Sequence, residues 1–238
     1  MSKQEKQLTS MDDEELEKVL KERLGTEGLA RLRLVVSAEN TAPHQTPRRA
    51  RYQTPSKLIP AVMATIKLKL KEGKLKLKKY DSSMWISPMF VKAKGRTDPL
   101  TGEEAVRFLS DLRALNKSLV YPEHWVQESV TLDDLRGEVP RWARYYAMED
   151  ISSAFEGCKV ADGQEHLLTV APPIPLGPDD FTKEELESYG MSMEDISDLM
   201  EAGEWLLQWS GVPQGLAPAA PFFPVHLSDA FNRMFGQE

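Results

Sequence analysis

The period of the apolar residues changes at Gly73, and that change limits what the chain can build. Before it, Leu58, Val62, Ile66 and Leu70 recur at helical spacing. Residues 56–73 therefore read as an amphipathic helix, with Pro60 tolerated because it falls in the first turn. After it, residues 74–79 alternate lysine and leucine, which is the period of a half-buried strand. Further strands are predicted at 86–94 and 105–109, and the Asp98, Pro99 and Gly102 turn signals between them make a β-hairpin. Another is predicted at 145–151, a strand pair within 158–170, and a strand at 205–210. Helices are predicted at 131–135, in the acidic stretch 181–203 and at 217–235, with one starting at Ser10 and stopping at Gly25. Short strands mixed with helices and hairpins point to an α+β architecture.

Composition narrows the class without naming a function. No apolar run approaches the ~20 residues needed to cross a bilayer, and the polar start, residues 1–7, is no secretory signal. Cys158 is the single cysteine, so there is no internal disulfide and no cysteine-cluster metal site. An intracellular setting is expected. The net charge of −7 conceals a segregation. Residues 48–79 hold eleven Lys or Arg against Glu72, and residues 172–204 hold ten Asp or Glu against Lys183. Such a distribution suits a polyanion-binding surface with an acidic element appended, and equally two solvated regions of opposite sign.

Three stretches have chemical content. Asp150 follows an apolar strand, where a carboxylate serves either as a ligand for Mg²⁺ or as a solubilising strand end. In the run 107–117 (RFLSDLRALNK), Arg107 lies across the predicted hairpin from Lys92 and Lys94, an arrangement able to grip a triphosphate. Asp111 and Arg113 in the same run also suit a structural ion pair. At 212–216 (VPQGL), small residues at a helix entrance allow close approach of a ligand, or form a plain loop-to-helix junction.

In chain order the sequence reads Trp85-Ile86-Ser87-Pro88 with Phe90-Val91-Lys92-Ala93-Lys94, then RFLSDLRALNK, TLDDL, YAMEDISSAF and VPQG. This series resembles the reverse transcriptases of retroviruses and long-terminal-repeat retrotransposons, over roughly 56–235. The resemblance implies the fingers and first palm segments of a right-hand polymerase, with antiparallel strands and flanking helices. Residues 1–55 would be an N-terminal extension made of an acidic helix and a Pro/Arg-rich linker. Residues 56–238 would form a partial polymerase domain carrying a surface insertion at 172–204.

The implied roles follow residue by residue. Asp150 would be the first metal-binding and catalytic aspartate, with Ile151 lending a backbone carbonyl to Mg²⁺ or Mn²⁺. Phe155 would be the aromatic gate against a 2′-hydroxyl. Lys94 and Arg107 would hold the incoming triphosphate, and Gln214 and Gly215 would pack on the nascent base pair. The implied reaction is two-metal, template-directed deoxynucleotidyl transfer. Its partners are an RNA or DNA template–primer and deoxynucleoside triphosphates, and no membrane is implied. Ser153, the order Ala219-Ala220-Pro221 and the length of the acidic stretch depart from the family pattern. The family's paired aspartates do not appear after Asp198, where Asp229 is the only aspartate. The expected domain is therefore truncated before its catalytic hairpin and inactive by itself. The alternative expectation is a non-catalytic remnant of a retroelement that binds nucleic acid or, through its acidic stretch, a protein partner.

Overall fold

A computed structural model describes residues 31–37, 51–120 and 154–235. The expected helix from Ser10, the helix at 131–135, the strand at 145–151 and most of the 1–55 extension lie outside the described residues. Helix α1 (Ile59–Lys71), entered through a 3₁₀ turn at Ser56–Leu58, carries Pro60 in its first turn. Its stripe of Leu58, Val62, Ile66 and Leu70 is buried, as the spacing predicts. Strand β1 (Leu75–Lys79) follows, with Leu75 and Leu77 inward.

Strands β2 (Ile86–Thr97) and β3 (Glu104–Ser110) form the expected hairpin. Next come the short helices α2 (Arg113–Ser118) and α3 (Ala154–Gly157), and strand β4 (Thr169–Ala171). The acidic stretch forms α4 (Lys183–Ser188) and α5 (Met193–Met200), and β5 (Trp205–Trp209) and α6 (Ala219–Phe235) complete the described chain.

The sheet order is β1-β5-β4-β2-β3. Its two halves are joined by β2, whose residues 86–88 run parallel to β4 while residues 89–97 pair antiparallel with β3. The sheet is thus mixed, which corrects the expectation of antiparallel strands throughout. Every residue of β5 is buried, because β1 and β4 flank it and both of its faces are covered. Trp205, Leu207 and Trp209 join the main core, while Leu206 packs with Ile86 and Ala171 on the other face.

Two further expectations change. The strand pair foreseen within 158–170 is a single three-residue strand, β4, preceded by a 3₁₀ turn at Glu165–Leu168. Val160 contributes only an isolated bridge to Leu32. The acidic stretch, expected as a surface insertion, is anchored in the core. Ile174, Leu176, Phe181, Leu186, Ile196 and Leu199 are all buried in the main cluster, and the Phe181 ring stacks on Trp205 at 5.5 Å. Among the described residues no helix is long and apolar enough to cross a membrane.

Candidate nucleic-acid interface

Alternation along β2 divides the hairpin into two faces. Val91 and Ala93, opposite Phe108 and Val106, pack against the core. The other face carries Phe90, Lys92 and Lys94, with Arg107 directly across from Lys92. Lys92, Lys94 and Arg107 are exposed. Like charges directly opposite each other destabilise a sheet, so Lys92 facing Arg107 is a cost that an anion laid across both strands would relieve.

The aromatic end of this face opens into a cleft of about 680 Å³, lined among others by Tyr52, Phe90, Asp111, Arg113, Asn116 and Gly215. The Tyr52 ring meets Phe90 edge-on at 5.3 Å, and its hydroxyl donates to Asp111 Oδ2 at 2.7 Å. Arg113 closes on the same carboxylate with two bonds, Nε to Oδ1 at 2.8 Å and Nη2 to Oδ2 at 2.6 Å. The Arg113 guanidinium, with help from the Tyr52 hydroxyl, holds the Asp111 carboxyl well below the usual carboxylate range. The Asp111 carboxylate in turn raises the Tyr52 phenol. Of the two readings open for Asp111 and Arg113, the ion pair is formed. The Arg113 side chain nevertheless stays 81% exposed, so its planar face is available for stacking.

Two of the ordered sequence stretches meet here. Asn116 donates from Nδ2 to the carbonyl of Gly215 at 2.9 Å and accepts at Oδ1 from the N–H of Ala217 at 2.9 Å. One amide side chain therefore clasps the VPQG loop at both ends of Leu216. Gly215 has φ +98°, a conformation that L side chains rarely adopt, and Gln214 and Gly215 are both exposed.

A third stretch approaches the same loop from behind. Val212 donates to the Cys158 carbonyl at 2.9 Å, and a Cβ on Gly211 would lie 1.9 Å from the Glu156 carbonyl oxygen. The segment bearing Phe155 is thus pressed onto the start of the loop. Phe155 itself is half-buried and meets Phe223 of α6 edge-on at 5.4 Å.

The expected site residues are therefore placed unevenly. Gly215 lines the cleft, Lys94 and Arg107 share the hairpin face that leads away from it, and Phe155 packs behind the loop. Asp150 and Ile151 lie outside the described residues. Among the described residues no group of three His, Cys, Asp or Glu is arranged to hold a metal ion. Sequence reasoning missed Tyr52, which sits in a Pro/Arg-rich stretch with no pattern to mark it. It also assigned no role to Asn116, although the run 107–117 contained it.

The basic segment is disposed differently from the expectation. Arg51 pairs with Glu204 at 2.5 Å, Lys67 with Glu185 at 2.8 Å, and Lys79 with Asp198. Lys69 and Lys74 both reach Glu156, at 2.9 and 3.9 Å. Five of the nine cations described in residues 51–79 are thus neutralised within the chain. The cations without an ion pair among the described residues include Lys92, Lys94 and Arg107 on the hairpin.

No protein-family model matches the chain, and no curated protein matches it.

Proposed function

We propose that this chain binds an RNA or DNA template–primer and a deoxynucleoside triphosphate, as the fingers and first palm segments of a reverse transcriptase. The observation that carries the proposal is the Asn116 clasp on Gly215 and Ala217. It joins two stretches about a hundred residues apart that were singled out by their order in the sequence alone. The continuity of aromatic, guanidinium and ammonium groups on one hairpin face supports the same reading. An unpaired base needs a flat surface to stack on, which the Tyr52 and Phe90 rings and the Arg113 guanidinium supply at the cleft. The phosphates beside it need unpaired cations, which Lys92 and Lys94 supply roughly 7 Å apart along β2, with Arg107 across from Lys92 on β3. Lys94 and Arg107 are assigned to phosphates, those of the bound strand and of the incoming triphosphate alike, and Gln214 with Gly215 to the nascent base pair.

Deoxynucleotidyl transfer uses Mg²⁺, which neutralises the charge that develops on the phosphates. Asp150 and Ile151 are proposed to hold it. The chain's own residues do the positioning: Asn116 sets the loop, and the hairpin cations orient the phosphates.

The test is fluorescence anisotropy with a labelled primer–template and the 238-residue chain. Affinity should fall steeply with salt, and the double variant Lys94→Gln/Arg107→Gln should weaken it about tenfold and flatten the salt dependence by about 2. A double variant that binds as tightly as the parent, with the same salt slope, rules out the hairpin as the contact.

A further inference from the structure

The acidic stretch has no role in this reading, yet its contacts are specific. Carboxylates from α4, α5 and the residue before β5 fall on cations of the basic segment, giving Lys67–Glu185, Lys79–Asp198 and Arg51–Glu204. Glu185 receives Lys67 Nζ on both oxygens, at 2.8 and 3.0 Å, and Asp195 lies within electrostatic reach of Lys78. Lys67 also sits 5.2 Å over the ring of Phe181, which belongs to the acidic stretch. Three carboxylates of one segment thus each meet a cation from a different part of the basic segment: Arg51 ahead of α1, Lys67 on α1 and Lys79 at the end of the edge strand β1. The buried Phe181, Leu186, Ile196 and Leu199 hold the acidic element in place.

We infer that residues 172–204 act as a built-in polyanion mimic, occupying Arg51, Lys67 and Lys79 so that nucleic acid does not engage these three cations. A chain with two open basic faces would bind nucleic acid in two registers, and phosphate contacts carry no sequence or orientation information of their own. Pairing these three cations within the chain weakens the second register. The inference concerns the α1–β1 face and stands apart from the role given to the hairpin.

The test uses the full 238-residue chain and a labelled single-stranded oligonucleotide, with affinity measured across a salt series. In the triple variant Glu185→Gln/Asp198→Asn/Glu204→Gln, three covered cations become available. Affinity should rise about tenfold at moderate salt, and the salt slope should steepen by about 2, at ~0.7 per phosphate on a single strand. A second triple variant, Asp179→Asn/Glu187→Gln/Glu194→Gln, removes the same charge from exposed carboxylates outside these pairs. It should leave the slope unchanged. Equal slope changes in both variants would reduce the effect to net charge and overturn the inference, as would no change in the first.

If the first variant does not fold by circular dichroism, Asp198→Asn alone serves. Its pair is more than half exposed on both sides, and its slope should steepen by ~0.7. An unchanged slope there overturns the inference as well. Adding Lys94→Gln/Arg107→Gln separates the two claims. If the hairpin variant loses nothing while the acid variant still gains, the hairpin reading fails and the mimic stands.

Discussion

Gly211 is required because of a close approach rather than because of its own dihedral angles. The Glu156 carbonyl oxygen occupies the place where a Cβ would stand, 1.9 Å away, and backbone on both sides leaves no flexible side chain to yield. Gly211→Ala should cost about 3 kcal/mol, the upper end for overpacking a filled interior. Urea denaturation would show this as a lower midpoint at an unchanged m-value, and a midpoint equal to the parent's would contradict the packing. Asp111 offers a different handle. Its pKa is depressed in the folded chain by Arg113 and Tyr52, so its contribution to stability is present above the unfolded value near ~3.9 and is lost as pH falls toward the folded one. The stability gap between the parent and Asp111→Asn should therefore narrow as pH drops from about 5 to about 3. A constant gap over that range, measured by chemical denaturation, would mean that the ion pair contributes nothing. The sequence offered this pair as one of two readings. Tyr52, which completes it, was illegible because a lone aromatic among prolines and arginines carries no period.

Among the elements, legibility followed length and periodicity. The stripe on α1 and the alternation of β1 could be read because each has four or more residues repeating a single spacing, and the solvent-facing lysines mark the outer face. Strand β4 could not, since three wholly buried residues, Thr169, Val170 and Ala171, have no alternation to display. Its parallel pairing with β2 was equally hidden, because partner choice is set by how distant segments fill the core and not by local pattern. Charge composition marked the acidic stretch but not its burial. Within that stretch α4 is well terminated: Thr182 accepts from the Glu185 N–H at 3.2 Å, and Glu185 accepts from the Thr182 N–H at 2.9 Å. Glu185 thus serves both the capping box and Lys67. Thr182→Ala should cost about 1 kcal/mol in unfolding free energy. It should also weaken the Lys67 contact by loosening the carboxylate, which a Lys67→Gln double-mutant cycle would register as non-additivity. Strict additivity would show the cap and the ion pair to be independent.

At the scale of the whole molecule, distant segments depend on one another. β1 pairs with β5, about 130 residues later in the chain, and a single cluster includes residues from α1, every strand, the acidic helices and α6. Cys158 reports on that interdependence. It is 1% exposed, burial pushes its thiol up to about 11, and its carbonyl accepts from Val212. Both the thiolate and access are therefore withheld in the native state, and alkylation requires the cluster to open. At pH 8, iodoacetamide should leave the folded chain unmodified over hours and label it quickly in denaturing urea. If the cluster opens as a unit, the labelling rate should increase in proportion to the unfolding constant, so Gly211→Ala at ~3 kcal/mol should speed it by about two orders of magnitude. Thr182→Ala lies far from Cys158 in sequence yet belongs to the same cluster through Leu186, and it should speed labelling about fivefold. Acceleration by Gly211→Ala with none from Thr182→Ala would show that the acidic helices open separately from the sheet. They would then be a cover that lifts while the rest of the core stays closed.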